Sequence, residues 1–482
     1  FNKSEDLEID DSLTPVYPTT SGLQQGRIRK IIRDSITYCD RHDLLKESSS
    51  LNVKSEFVDL WENLKFIHNP PSNIDIQTLL EGKHPAQRAL IKEELVAHML
   101  CAGLLKNELE GRKGPSMNKT SDAEEKFTSS LEFVLTGAQK RTWEEIRSDL
   151  KGNRPMRRLL QGDVGSGKTL VGALSALHAH ENGWQTAFMC PTEILAEQHH
   201  LSLSEWFSSL GLSVELLTGS TKSSERKEII TKLKSGEINI LVGTHALFQK
   251  DVIFNCLGLT VIDEQHRFGV HQRFSMLEKG GTDNQSPHQL IMTATPIPRT
   301  LAMTVYGSLE TSIIDEMPPG RKPVETSARP NSLREKVIKR IEEVCLSGQR
   351  VYWVCTLIEE SEELEAQSAE ELFKEISESL PKIDVGLVHG KLKKKSKDQV
   401  IKKFREGKIQ LLVCTTVIEV GVDVPEATLM IIENPERLGL SQLHQLRGRV
   451  GRKADSESHC LLLYKEPLSS LAEERIKTMQ ET

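Results

Sequence analysis

The sequence predicts an α/β protein in which two lobes, each built on a parallel β-sheet, follow a helical region. Apolar residues recur at helical spacing up to about residue 115, and short apolar runs alternate with amphipathic segments from about residue 130. A proline-containing break, MPPGRKP (317–323), divides those runs into two series. Short apolar runs separated by helices are typical of parallel strands that are buried on both faces.

The helical region comes first in the chain. Segments 22–40 and 87–105 carry apolar residues at helical spacing, and the proline break HNPPSN (68–73) separates them. The polar stretch 111–122 predicts a linker. The predicted domain bounds are 1–123 for the helical region, 124–320 for the first lobe and 321–482 for the second.

Ten apolar runs predict the strands of the two lobes. They lie at 157–163, 185–191, 238–244, 259–264 and 288–295 in the first series, and at 350–355, 384–390, 409–416, 427–434 and 459–464 in the second.

Composition excludes several classes of protein. The chain has 482 residues and a formal net charge of -7, so any contact with nucleic acid must come from local patches. None of the eight cysteines forms a C-x-x-C pair, which argues against zinc and disulfide frameworks and suits a reducing cytoplasm. No apolar run approaches the roughly 18 residues of a membrane helix. His199 and His200 are predicted to be surface or packing residues, not metal ligands.

GDVGSGKT (162–169) matches the phosphate-loop pattern G-x-x-x-x-G-K-[ST] between a predicted strand and a predicted helix. Gly162, Gly165 and Gly167 would let backbone N–H groups face phosphates. Lys168 would reach the β- and γ-phosphates of ATP, and the Thr169 hydroxyl would coordinate Mg²⁺. The alternative is a chance match on a glycine-rich turn.

Asp263 and Glu264 end the apolar run 259–264. With a phosphate loop upstream, Asp263 is expected to hold Mg²⁺ and Glu264 to polarise the attacking water. A D-E pair taken by itself would instead favour a solvated loop.

The segment QLHQLRGRVGR (442–452) offers Arg447, Arg449 and Arg452 as candidate arginine fingers. Since it lies in the second lobe, ATP is expected in the cleft between the lobes. A basic surface turn is the alternative.

Further motifs accompany these: LTGAQ (135–139), CPTEILAEQHH (190–200), VGTHALF (242–248), MTATPIPRTLAM (292–303), TTVIEVGVDVPEA (415–427) and NPERLGLSQLHQLRGRVGR (434–452). Together they resemble the superfamily 2 helicases and, more narrowly, the RecG family of bacterial ATP-dependent helicases that remodel branched DNA. The likeness covers nearly the whole chain. Gln265 sets it apart from transcription-repair coupling factors, whose box usually has D-E-E-H.

The resemblance implies two RecA-like lobes, ATP and Mg²⁺ as cofactors, and double-stranded or branched DNA as the partner. It also implies a monomer in the bacterial cytoplasm, associated with the nucleoid. Gln139 resembles an adenine reader, Gly421 and Asp423 would lie near the ribose, and Arg449 and Arg452 match the finger positions. Five residues would couple the ATP site to DNA grip: Gln265, His266, Thr293, Thr295 and Gln445. Nine occupy positions that touch the DNA backbone in the family: Pro191, Thr192, Thr218, Gly219, Thr244, His245, His389, Gly390 and Thr415.

The family's OB-fold wedge and its C-terminal translocation motif are not expected within these residues. Two hypotheses therefore stay open. The chain is either an ATP-driven translocase on double-stranded DNA that acts on stalled forks and Holliday junctions, or an ATP-binding DNA-interaction module that is inactive as a motor. ATP turnover discriminates between them.

Overall fold

The computed structural model describes residues 12–18, 23–42, 60–264, 285–294, 309–356, 362–392, 394–416, 424, 426–451 and 457–481. The chain divides into two compact units, Phe1–Lys106 and Asn107–Thr482.

The first unit is helical. Its helices are α1 (Gln25–His42), α2 (Leu60–His68), α3 (Ile76–Leu80) and most of α4 (Pro85–Glu110). Trp61 Nε1 donates a hydrogen bond to Asp40 Oδ1 (2.6 Å), which joins α2 to α1. The predicted helices at 22–40 and 87–105 are present, and the proline break falls between α2 and α3, where the backbone nitrogen of a proline could not continue a helix.

The second unit holds both sheets. Two helices, α5 (Ala123–Ser130) and α6 (Gly137–Leu150), precede the first sheet in the chain. The strands of that sheet and the helices that connect them are β1 (Arg157–Gly162), α7 (Lys168–Glu181), β2 (Gln185–Met189), α8 (Glu193–Phe207), β3 (Val214–Leu217), α9 (Ser223–Ser235), β4 (Ile240–Gly243), β5 (Leu257–Asp263), β6 (His288–Thr293) and β7 (Glu310–Ile314). The strands of the second sheet and the helices that alternate with them are, in chain order, β8 (Glu325–Pro330), α10 (Arg334–Leu346), β9 (Arg350–Val354), α11 (Glu362–Ser379), β10 (Val385–Val388), α12 (Lys394–Arg405), β11 (Leu411–Cys414), β12 (Ala427–Glu433), α13 (Leu440–Arg447), β13 (His459–Tyr464) and α14 (Ser470–Glu481).

Both sheets are parallel throughout their described pairings. The first has the order β3-β4-β2-β5-β6-β1-β7 and the second β10-β11-β9-β12-β13-β8. The central strands are mostly apolar and are buried along their whole length, as in β5 and β6, because helices cover both faces of such a sheet. The predicted fold class, two parallel-sheet lobes after a helical region, is confirmed.

All ten predicted strands are present, but the structure adds three that the apolar runs did not predict. These are β3, β7 and β8, and each lies at an edge of its sheet. Edge strands are only partly covered, so their sequences need not be apolar: none of the residues of β8 (ETSARP) is buried. The domain bounds at 123 and 320 stay a prediction.

The stretch 111–122 is not a free linker. Met117 is fully buried in the core of the first lobe, and its carbonyl accepts a hydrogen bond from His178 Nε2 (3.0 Å). The Pro115 carbonyl accepts one from His288 Nε2 (2.7 Å), while Met156 N donates to His288 Nδ1 (2.8 Å). Burial lowers the pKa of His288 to about 4, so this histidine is neutral at ordinary pH, and each of its ring nitrogens has a backbone partner.

No helix in the described ranges is long and apolar enough to span a bilayer. The cysteines are free, and Cys190, Cys345, Cys355, Cys414 and Cys460 are buried. In the part of the chain that the structure describes, no group of three or more His, Cys, Asp or Glu side chains is arranged to hold a metal ion.

Candidate active site

The phosphate loop joins the end of β1 to the start of α7. Gly165 and Gly167 have φ of +78° and +91°, a left-handed conformation in which a side chain would be strained. Lys168 Nζ donates to the carbonyl oxygens of Gly162 (2.6 Å) and Asp163 (2.9 Å). The sequence match therefore folds into a loop with its ammonium group at the N-terminus of an α-helix, where backbone N–H groups and the helix dipole attract anions.

The loop fits a nucleotide phosphate chemically. Ser166 Oγ is buried, and within the described residues it has no hydrogen-bond partner. A Cβ on Gly162 would lie 2.6 Å from that oxygen, so only glycine leaves room there.

Gln139 holds the phosphate loop through a hydrogen bond to its backbone. Its Nε2 donates to Ser166 O (2.8 Å), and its Oε1 accepts from Thr136 N (3.0 Å) within the capping box of α6. Both ends of its amide are thus engaged by backbone groups. Its role as an adenine reader stays a prediction.

Asp263 and Glu264 stand where β5 ends beside β6. Asp263 pairs with Met292 across the parallel ladder, and Glu264 N donates to Met292 O (2.9 Å). Glu264 has φ of 50°, and its Oε1 accepts from Ala294 N (3.3 Å). A non-glycine residue in this conformation costs free energy and persists where the surroundings hold it, as at catalytic sites.

The two carboxyl groups are driven in opposite directions. Burial would raise the pKa of Asp263, but the hydrogen bond from His199 and the charge of Lys168 outweigh it and lower that pKa. Burial, followed by the Asp263 carboxylate, raises the pKa of Glu264 to about 7, against the opposing charges of Lys168 and Arg449. Asp263 is therefore kept as an anion suited to a cation, while Glu264 can exchange a proton near neutral pH.

A cavity of about 540 Å³ brings these groups together with the second lobe. From the first lobe it is lined by Gly165, Gly167, Lys168, Thr169, Asp263, Glu264 and Ala294, among others, and from the second by Arg405, Gln445 and Arg449. Gly448 lies directly against the phosphate loop, since a Cβ placed on it would be 2.6 Å from Val164 Cβ. The cleft is thus one site made by both lobes.

The nine predicted backbone-contact residues follow strands that are neighbours in the sheets. Pro191 and Thr192 follow β2, Thr218 and Gly219 follow β3, and Thr244 and His245 follow β4. Because these strands are parallel neighbours, all six residues lie at the carboxyl ends of the strands, on one side of the first sheet. His389, Gly390 and Thr415 follow the adjacent strands β10 and β11 of the second sheet. The hydroxyls of Thr244 and Thr415 are buried and, among the residues described, lack a hydrogen-bond partner.

Known proteins are similar to this chain over nearly its whole length. The chain is 50% identical over 476 residues to the ATP-dependent DNA helicase RecG of Escherichia coli (strain K12), an alignment that covers 98% of this chain and 68% of that protein. The chain belongs to the RecG family of ATP-dependent DNA helicases. The RecG of Haemophilus influenzae is 48% identical over 477 residues, covering 99% of this chain and 68% of that one.

The family models agree with the two lobes. The DEAD/DEAH box helicase model matches residues 136–304, and the helicase conserved C-terminal domain model matches 335–454. A solved RecG bound to a three-way DNA junction is similar to this chain with a TM-score of 0.72 and 40% identity, covering 97% of this chain and 60% of the solved one. The chain thus spans about two thirds of the length of the RecG proteins it matches.

His199 is a site residue that the sequence analysis missed. Its Nε2 donates to Asp263 Oδ2 (2.9 Å), its ring lies 4.9 Å from that of Phe188, and it is buried. His199 is therefore a packing residue, as predicted, but it also donates a hydrogen bond to the candidate metal ligand Asp263. A signal was present: His199 shares the buried face of α8 with Ala196 and Leu203, and a polar residue on such a face needs a partner.

The predicted site residues divide into two groups. Lys168, Thr169, Asp263, Glu264, Gln445 and Arg449 line the cleft, and Thr293 ends β6 beside it. A second group, which comprises Gln265, His266, Thr295, Gly421, Asp423 and Arg452, lies outside the described residues, and the roles of these residues stay predictions.

Proposed function

We propose that this chain hydrolyses ATP in the cleft between its lobes and uses the reaction to move on double-stranded DNA. Its substrates would be branched DNA, such as stalled replication forks and Holliday junctions, in recombination and repair. One observation carries the proposal: Lys168, Asp263 and Glu264 of the first lobe share a single cavity with Arg449 of the second.

Each side chain has a distinct task in hydrolysis. Lys168 supplies positive charge at the phosphate loop. Glu264, with its pKa raised to about 7, orients the attacking water and accepts its proton. Arg449 stabilises the negative charge that develops on the transferred group, as an arginine finger does.

Mg²⁺ would be held by the Thr169 hydroxyl and the Asp263 carboxylate. Both line the cavity and both offer the oxygen donors that this ion prefers; Mg²⁺ usually takes only one or two protein carboxylates and completes its shell with water and phosphates. The ion would neutralise charge on the phosphate oxygens. His199 orients Asp263 by bonding its Oδ2.

DNA would lie across the strand ends that carry the hydroxyl and glycine residues. Threonine hydroxyls and backbone N–H groups bind phosphate oxygens without reading the base sequence. Two of those hydroxyls, on Thr244 after a strand of the first sheet and Thr415 after a strand of the second, have no hydrogen-bond partner among the described residues. DNA affinity should therefore fall as salt rises, and binding that is insensitive to salt would argue against a motor that tracks the backbone.

The test is steady-state ATP hydrolysis with and without branched DNA. We expect Mg²⁺-dependent turnover that Lys168→Ala and Glu264→Gln each abolish. The matched controls are Lys250→Ala and Glu132→Gln, which change exposed side chains of the same lobe and should leave the rate unchanged. A folded, unmutated chain without turnover would favour the inactive ATP-binding module instead.

A further inference from the structure

The segment that joins the two sheets, residues 315–324 between β7 and β8, is fastened to the nucleotide-binding lobe. Glu316 Oε2 accepts a hydrogen bond from Ala138 N (3.0 Å) at the start of α6. Arg141, on the same helix, donates from Nη2 to Asp315 Oδ1 (2.6 Å) of the segment. The segment thus begins against the helix that carries Gln139, next to the phosphate loop.

Arg321 in this segment then contacts both lobes at once. Its Nη1 donates to Val164 O (2.5 Å) in the phosphate loop, and its Nε donates to Gly451 O (3.0 Å) in the turn that follows α13. A Cβ on Gly165 would overlap Arg321 Nη1, so the guanidinium lies directly on the loop. One side chain therefore joins the phosphate loop to the turn that carries Arg449.

We propose that Arg321 is a positioning residue for ATP hydrolysis. By holding Val164 and Gly451 together, it fixes the turn at Gly448–Gly451 so that Arg449 faces the cleft. The inference rests on the proposed function, because it assigns Arg321 a task in that same reaction. Arg321 itself donates hydrogen bonds to backbone carbonyl groups of the phosphate loop and of the turn. Its effect on the reaction is therefore exerted through the position of Arg449.

The chemistry of the contact explains why an arginine is needed. A guanidinium carries donors that point in fixed, different directions within one plane, so it can serve two carbonyl oxygens on separate segments. A lysine ammonium has the same charge but no such fork, and Arg→Lys is not conservative at a site of this kind. Loss of the bridge should therefore appear even when the positive charge is kept.

The experiment compares ATP hydrolysis by the unmutated chain, Arg321→Ala and Arg321→Lys. Misplacement of a reacting group by about 1 Å can cost roughly 100-fold in rate, so we expect kcat to fall about 10- to 100-fold in both variants. Affinity for a non-hydrolysable ATP analogue should stay within about threefold, because Lys168 and Thr169 are untouched. The matched control is Lys322→Ala, since Lys322 is an exposed neighbour whose Nζ lies 3.7 Å from Glu457 Oε1.

A double-mutant cycle separates positioning from a merely structural role. In the Arg449→Ala background, Arg321→Ala should have little further effect on kcat, since groups that act as one unit are not additive. Equal losses in both backgrounds would overturn the inference, and so would full activity of Arg321→Ala. An unmutated chain without ATP turnover would overturn the proposed function, and this inference with it.

Discussion

Gly448→Ala tests directly whether the two lobes meet at the phosphate loop. Gly448 ends α13 with φ of -65° and ψ of -6°, which alanine adopts without strain. The new methyl group would instead lie 2.6 Å from Val164 Cβ and 2.9 Å from Val164 Cγ2 across the cleft. The substitution therefore disturbs the contact between the lobes while leaving the core of each lobe intact.

Overpacking of this kind costs about 1–3 kcal/mol. If that cost falls on the closed arrangement that hydrolyses ATP, kcat/KM for ATP should drop roughly 5- to 150-fold, because each 1.36 kcal/mol is a factor of ten. The assay is steady-state ATP hydrolysis, accompanied by thermal unfolding to show that the lobes remain folded.

Two further variants make the result specific. Gly439→Ala is the matched control, because a Cβ there meets only Gln442 Oε1 at 3.7 Å and Ser441 Oγ at 3.9 Å. Val164→Gly removes the clashing side chain and should restore activity to Gly448→Ala. Normal kcat/KM in Gly448→Ala, or a loss that Val164→Gly leaves uncorrected although Val164→Gly alone is active, would refute the proposed contact.

Two other predictions concern histidines. The pKa of His288 is lowered from 6.5 to about 4 in the folded chain, so as pH falls the unfolded chain takes up a proton on this histidine before the folded chain does. The free energy of unfolding should therefore be unaffected by this residue above pH 6.5. Between pH 6.5 and pH 4 it should fall by about 3 kcal/mol. Denaturant unfolding should show a flatter pH dependence for His288→Gln, and an unchanged slope would contradict the buried neutral ring. His199→Ala should raise the Mg²⁺ concentration for half-maximal hydrolysis about 10- to 100-fold, as loss of a residue that orients a metal ligand does. His200→Ala, on the same helix but bonded to Val214 O, is the control, and equal Mg²⁺ requirements in both would exclude orientation of Asp263 by His199.

The interior strands of each sheet could be predicted from the sequence, and of the four edge strands only β10 could. Central strands such as β5 are buried along their whole length and mostly apolar, because helices cover both faces. Edge strands lack that requirement: β8 has no buried residue and β3 only Leu217. Hydrophobic patterning has no signal there, and the strands are identified only once their neighbours in the sheet are known.

The site divides in a similar way. The phosphate loop and the Asp263–Glu264 pair are local motifs whose chemistry follows from residue type and spacing. Arg321 could not be predicted, because its two partners lie more than a hundred residues away in the chain and nothing in the break 317–323 indicates them. The left-handed backbone of Glu264 likewise follows from the tertiary contacts around it.

ATP turnover by Arg449→Ala tests whether the two lobes form one active site. Arg449 belongs to the second lobe, yet its charge acts on Glu264 of the first. If the cleft is one active site, kcat should fall about 1,000-fold or more, as loss of an arginine finger does, while affinity for a non-hydrolysable ATP analogue changes only a few-fold. Turnover at the unmutated rate would contradict a site shared between the lobes.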